Sequence, residues 1–288
     1  MSTSLHTSTG PMSAARLSPF HTLRQGVRRT GFEIRGYTRS PESIFFTFLF
    51  PILMLALFST VFGADGEVSY GQGLPPLSAA AMYLPGMLAA GVLLSGLQNL
   101  AIDIALERHD GTLKRLGGTP LSPVSYFVGK IGQVLVTGVV QAAAVLAFAA
   151  LVLGVELPSD PESWLTFAWV FLLGLATSAF LGIALSAIPR SARSASAVVI
   201  PVALVLQFIS GVYLFFWLLP EWLQNVANVF PLAWMAKGMR AVFLPPEYAA
   251  LEQNGAWDLG WVAVALVVWL VVGLVISRIT FRWIRRDA

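Results

Sequence analysis

Cysteine is absent from this chain, which excludes disulfides and every thiolate-bound metal or cluster. Charge is scarce: Asp, Glu, Lys and Arg make up 11% of the 288 residues, against about 25% in an ordinary soluble domain. The phosphate-binding pattern GxxxxGK[ST] does not occur, because the only lysines, Lys114, Lys130 and Lys237, are followed by Arg, Ile and Gly. The chain therefore carries no recognisable loop for ATP. It also lacks GxSxG, HExxH and paired-carboxylate motifs. Its 3 histidines, His6, His21 and His109, have no zinc-site spacing. His109 and Asp110 are neighbours in a short basic loop and read as a solvated turn rather than a catalytic pair. A formal charge of +3 is too small to indicate nucleic acid. These absences speak against an enzyme, and no cofactor is expected on the chain itself.

What the chain has is apolar length. Hydrophobic residues make up 56% of it, more than a soluble fold of this size can hide from water. Six charge-free stretches stand out: 43–63, 82–102, 131–155, 163–189, 194–220 and 259–277. A bilayer core of about 30 Å needs roughly 20 apolar residues to be crossed as a helix. Inside lipid the backbone must satisfy its own hydrogen bonds, so each stretch is predicted to be helical. A transmembrane barrel would show alternation instead of continuous runs. The expected fold is all-α and integral to the membrane, with six transmembrane helices within 43–288.

Lys and Arg are retained on the cytoplasmic side of a membrane. With the N-terminus inside, all of the 18 basic residues except Lys237 and Arg240 fall on that side. The reverse topology would invert this ratio. The chain is therefore expected to be a multi-pass protein of the cell membrane with both termini cytoplasmic. Residues 1–19 are rich in Ser and Thr and lack the apolar core of a secretory signal, so they read as a disordered cytoplasmic tail. Residues 20–42 precede the first span. On a wheel of 100° per residue, Phe20, Leu23, Val27, Ile34 and Tyr37 share one arc, flanked by Arg24, Arg28, Arg35 and Arg39. This pattern predicts an amphipathic helix lying in the membrane surface, its arginines reaching anionic headgroups. The plainer alternative is a basic juxtamembrane linker.

The loop between the second and third spans reads RHDGTLKRLGGTPLSP, residues 108–123. Gly111 and the Gly117–Gly118 pair are backbone breakers, and Thr119-Pro120 and Ser122-Pro123 force extended turns. Between them, Thr112 to Leu116 can form about one helical turn. That turn displays Leu113 and Leu116 beside Lys114 and Arg115. A short rigid element with apolar and basic faces suits docking to another protein, the leucines as anchors and the cations as a charged rim.

In this position Glu107, Gly111-Thr112-Leu113, Leu116, Thr119-Pro120-Leu121 and Gly129-Lys130 resemble the signature of the ABC type-2 permeases. These are the membrane subunits of ATP-binding-cassette exporters, including daunorubicin-resistance-type drug pumps and polysaccharide and lipid exporters. The resemblance runs from about residue 20 to the end of the chain. It includes Phe230-Pro231-Leu232, Arg240 and Leu244, which are similar to the family's outer-leaflet helical hairpin before the last span. It implies two permease copies, or two related chains, paired with two separate nucleotide-binding subunits that hold ATP and Mg. In such an assembly the loop helix sits in a cleft of the ATPase and transmits its motion. Lys114, Arg115 and the signature positions from Glu107 to Leu121 would make that contact. Arg108-His109-Asp110 is a more polar start to the loop than the family pattern.

Polar residues inside the spans are few. The second carries Ser95, Gln98, Asn99 and Asp103; the third Lys130, Gln133, Thr137 and Gln141; the fifth Gln207 and Ser210. Each either makes an interhelical hydrogen bond, worth ~0.6 kcal/mol on average, or lines part of a substrate path. Gln98, Asn99, Gln141, Gln207 and Phe208 are the candidates for such a path. Asp103 and Lys130 lie near the inner ends of adjacent antiparallel spans and are expected to form an ion pair. No acidic residue lies near the bilayer centre, which argues against proton- or sodium-coupled transport. Residues 220–256 are too apolar for a free loop. They are expected to re-enter the outer leaflet as a gate, with Lys237 and Arg240 snorkelling to the surface. The sequence points to the permease of an exporter for an amphipathic, drug-like or lipid-like substrate. Its rivals are a secondary transporter or channel and a non-transport membrane scaffold or enzyme.

Overall fold

The computed structural model describes residues 19–63, 66–71, 73–119 and 121–280. The tail before residue 19, Pro120 and the C-terminal Arg282, Arg285 and Arg286 lie outside them. The described chain is helical, with one isolated bridge between Val68 and Leu77. In order it forms α1 (Pro19–Tyr37), α2 (Pro41–Phe62), α3 (Ala79–His109), α4 (Thr112–Gly117) and α5 (Pro123–Leu151). There follow α6 (Pro161–Leu185), α7 (Ala192–Ile209), α8 (Glu221–Ala227), α9 (Pro231–Phe243) and α10 (Leu259–Thr280). Six of these, α2, α3, α5, α6, α7 and α10, are long and apolar enough to cross a membrane. One end of the bundle carries α1 and α4; the other carries α8 and α9.

The helix starts follow local chemistry. Ser78, Ser122, Asp160 and Ser191 each accept a hydrogen bond from the backbone N–H three residues on, satisfying a donor that the first turn leaves free. Pro123 and Pro161 occupy first-turn positions where no N–H is needed. The third span thus begins at Pro123, ahead of the expected 131, because its first turns are polar but well capped. The fifth span stops at Ile209, although the apolar run continues. Gly211 adopts φ +76°, a left-handed conformation that ends the helix. Residues beyond it fold back, and Phe216 and Leu219 pack with Ala227 and Ala233 under the hairpin.

α3 is the central helix, buried almost throughout from Ala79 to Ala105. Small residues let its neighbours approach. A Cβ at Gly96 would stand 2.6 Å from Ser178 Cβ on α6, and one at Gly182 would strike the Gly96 carbonyl. α10 closes against α6 by Thr177 Oγ1 donating to Leu266 O at 3.1 Å and Ser277 Oγ to Phe180 O at 2.9 Å. The outer faces of α2, α7 and α10 expose Leu53, Leu57, Val202, Val205, Val267 and Val271, as lipid-facing surfaces do.

α1 lies along α5 by its small and polar side. Gly26 packs on Val128, the Arg29 stem crosses Gly129, and Thr30 sits over Gly132. Ser125 Oγ donates to Thr22 O at 2.8 Å. Phe20, Leu23, Val27 and Phe32 point away from the protein, and Arg24, Arg28 and Arg35 are exposed. That polarity is inverted for water and fits the membrane surface. Tyr37, from the expected apolar arc, instead turns inward to α2.

Candidate functional site

At the end carrying α4, Gly111 takes φ +79° and starts the short helix directly after α3. The Asp110 carboxylate accepts from Thr112 N at 2.8 Å, and Arg115 donates to Thr112 Oγ1 at 2.9 Å. Thr119 Oγ1 closes the far side on Leu116 O at 2.7 Å. Leu113 does not project outward as an anchor for another protein. It is 1% exposed and belongs to the main core, with Leu116 and Leu121 packed behind it. An amphipathic turn held between two spans finds its apolar partners in their own ends. Lys114 and Arg115 form the exposed face.

Beside α4 lies a buried charged cluster. Lys130 Nζ on α5 stands 2.7 Å from Glu33 Oε2 on α1 and 2.7 Å from Glu107 Oε1 on α3. Arg29 reaches Glu33 Oε1 at 2.7 Å, and Tyr126 OH donates to Glu107 Oε2 at 2.6 Å. Three helices meet at one ammonium that is 2% exposed. The expected Asp103–Lys130 pair does not form, since no ion pair within 4.0 Å joins them among the described residues. Glu33 and Glu107 take the ammonium, and Asp103 lies within its field beside Gln133. Glu107 is thus a partner of Lys130 and Tyr126 rather than part of the α4 surface. Glu33 and Arg29 were not singled out by sequence reasoning. The signal was there: Glu33 is the only acid in α1 and follows Arg29 by one helical turn.

One turn deeper, α2 and α3 each contain a π-helical turn, at Phe45–Leu49 and Leu94–Asn99. Asn99 Nδ2 donates to Thr47 Oγ1 at 2.6 Å, joining the two. Tyr37 OH donates to Thr47 Oγ1 at 2.5 Å, which adds α1. Burial pushes the Tyr37 hydroxyl up to about 12, against the lowering effect of the Thr47 bond. Two adjoining cavities flank this point, of about 100 and 210 Å³. Ser40, Ser43, Asp103 and Leu106 line both, and Gln98 and Asn99 line the smaller.

The other candidates for a path lie elsewhere. Gln141 is fully buried against Gly91, and neither of its amide atoms has a hydrogen-bond partner among the described residues. Gln207 accepts from Tyr213 OH at 2.6 Å and donates to Ala203 O at 3.2 Å. Phe208 is exposed on the bundle surface and meets Tyr213 edge-on. Of these candidates, Gln98 and Asn99 line a cavity that also holds Glu42 and Asp103.

At the opposite end α8 and α9 form the expected hairpin, and α9 is buried along most of its length. Lys237 and Arg240 do not snorkel. Lys237 Nζ lies 2.8 Å from Asp258 Oδ2, and Arg240 Nε 2.6 Å from Glu252 Oε1. Both cations are under 10% exposed and are held by acids from the segment before α10. Packing of α9 against α3, α6 and α10 closes the route to the surface.

The family model described as "ABC-2 type transporter" matches residues 30–244. Similar curated proteins are named "Probable multidrug ABC transporter permease YbhR", from Escherichia coli strain K12 and Escherichia coli O157:H7. Each is 24% identical over 189 residues, which cover 64% of this chain and 50% of the relative. The chain spans about half the length of the curated relatives it matches.

Proposed function

The chain belongs to the ABC-2 type transporter family, and on that premise we propose that it is the membrane-spanning permease of an exporter driven by a separate ATP-binding-cassette ATPase. The α4 end faces the cytoplasm in this reading, which the distribution of Lys and Arg supports. ATP and Mg belong to the ATPase, and this chain is the transport subunit rather than the enzyme. The permease acts as a pair, with a second copy or a homologous chain. The substrate is amphipathic, drug-like or lipid-like, and leaves the cytoplasm or the inner leaflet.

The observation that carries this reading is the seating of α4. A helix that passes on movement must be stiff, and Leu113 in the core with the Asp110 and Thr119 bonds makes it so. Its outward face is basic at Lys114 and Arg115, and it follows directly on α3, whose Glu107 joins the Lys130 cluster that links α3 to α1 and α5. A push on α4 therefore reaches three helices. The test is co-purification of the tagged full chain from its native host with an ATP-binding-cassette ATPase, followed by ATP hydrolysis in lipid nanodiscs. Binding of that ATPase, and its release by Lys114→Glu with Arg115→Glu, supports the reading. A chain that exports substrate without an ATPase overturns it.

A further inference from the structure

On the face rich in exposed arginine, the lining of the two small cavities is acidic. Glu33, Glu42, Asp103, Glu107 and Asp110 contribute carboxylates, and Lys130 is the one cation in the lining. Glu33 and Glu107 share that ammonium, and Asp110 caps α4. Asp103 and Glu42 have no ion pair among the described residues. Beside Asp103, Gln98 is 4% exposed and makes no hydrogen bond among the described residues, yet it lines the cavity. An amide that lines a cavity without a protein partner keeps its carbonyl free to accept from a ligand. The Phe46 ring lines the same cavity.

Carboxylate, amide oxygen, serine hydroxyls and an aromatic side chain are together suited to an ammonium group. Anions are repelled by the net negative lining. Among the described residues no group of three or more His, Cys, Asp and Glu is placed to hold a metal ion. The smaller cavity, about 100 Å³, has room for an ammonium head. Phe46 on α2 and Ile200 on α7 give it apolar walls, along which a hydrocarbon tail can lie.

We propose that the cavity between α2, α3 and α7 binds the ammonium head of an amphipathic amine, with Asp103 as its counter-ion and Gln98 as its hydrogen-bond acceptor. This rests on the permease reading and names its substrate class. The ammonium can belong to a free amphiphilic amine or to an ethanolamine phospholipid of the inner leaflet.

The probe is dodecylamine carrying a dansyl group at the tail end, titrated by fluorescence anisotropy into the full chain in phosphatidylcholine–phosphatidylglycerol nanodiscs. Its N-acetyl derivative, which has no charge, is the control. Saturable binding of the amine alone is expected. Asp103→Asn should weaken it about tenfold, the loss of one charge-assisted contact, and Asp103→Glu should restore most of it. Gln98→Leu should weaken it severalfold. Thermal unfolding of each variant separates lost binding from lost fold, and the Asp103→Glu rescue keeps the test valid if Asp103→Asn misfolds. Competition by added phosphatidylethanolamine identifies the lipid headgroup as occupant; no competition identifies the free amine. Equal binding of the acetylated probe, or unchanged binding in folded Asp103→Asn, overturns the proposal. ATPase docking at α4 is measured separately, so failure here leaves the permease reading standing.

Discussion

The Asn99 amide donates to the Thr47 hydroxyl at 2.6 Å, and each residue sits in the π-helical turn of its own span. A π turn loosens the regular ladder and turns side chains off the usual helical face. Here two such turns meet and are bridged by one bond, beside the cavity that holds Gln98 and Asp103. In a double-mutant cycle of Asn99→Leu and Thr47→Val, the coupling should fall at ~0.6 to 1.7 kcal/mol, the range of interhelical hydrogen bonds in membranes. Unfolding in mild detergent measures it. Additive single effects would show that the bond contributes nothing of its own.

Lys130 is the hub of the charged cluster. Lys130→Met leaves Glu107 without its cation and Glu33 with Arg29 alone. Breaking a buried pair by removing one partner costs about 3–5 kcal/mol. The single variant should therefore unfold at a much lower temperature. Adding Glu33→Gln and Glu107→Gln should recover a large part of the loss, because the unpaired charges are then gone. A triple variant no better than the single would mean that Lys130 acts by packing alone.

The two halves of α4 should respond differently. Leu113→Ala empties a core position and should cost about 2–5 kcal/mol of stability. Lys114→Gln with Arg115→Gln alters only the exposed face and should leave the unfolding midpoint within about 0.5 kcal/mol of the parent. If α4 docks to an ATPase, the charge variant alone should slow association and reduce its salt dependence. Calorimetry and stopped-flow binding of the same samples separate these outcomes.

Continuous charge-free runs made the six spans legible, and turn residues made the α4 loop legible. Three-dimensional partner choice was not. Asp103 and Lys130 occupy adjacent spans at similar depth, which made them look paired. The sequence cannot reveal that α1 lies against Gly129 and Gly132 and brings Glu33 to the same ammonium. Lys237 and Arg240 looked free for the same reason. Their partners, Asp258 and Glu252, lie 21 and 12 residues on, beyond any helical spacing. Leu113 had the pattern of an amphipathic turn, but pattern does not say whether the apolar side meets another protein or its own bundle. The π turns leave no periodic mark at all.

Glycine positions separate close packing from simple flexibility. A Cβ at Gly182 would meet backbone, the carbonyls of Gly96 and Leu97, which cannot move aside as a side-chain end can. Gly182→Ala should force α3 and α6 apart and destabilise by about 1–3 kcal/mol. A Cβ at Gly31 on α1 meets nothing within 4 Å. Gly31→Ala should stabilise by about 0.4–1 kcal/mol through lost freedom of the unfolded chain and better helix propensity. Equal effects at the two sites would refute the packing argument. Thermal unfolding of both variants in one detergent decides it.

Asp258 offers a test of the hairpin by pH. It adopts φ +48° at the entry to α10, and its backbone carbonyl accepts from Val262 N at 3.0 Å. Its carboxylate accepts from Lys237 Nζ at 2.8 Å and Asn254 Nδ2 at 3.0 Å. The Lys237 and Asn254 bonds hold the carboxyl below its ordinary value. A carboxyl lowered in the folded state binds its proton more weakly there than when unfolded. Its contribution to stability is therefore full above the unfolded value, about 4, and is lost as pH falls through the lowered one. Asp258→Asn is the suitable variant, because Asn tolerates the left-handed backbone while removing the charge. The gap in unfolding midpoint between parent and variant should be constant from about pH 7 to 5 and shrink below about pH 4. Lys237→Met should remove most of that pH dependence, since it deletes the main cause. A gap that widens on acidification would mean that the carboxyl is raised by its surroundings, and that Lys237 is not what holds the segment before α10 to the hairpin.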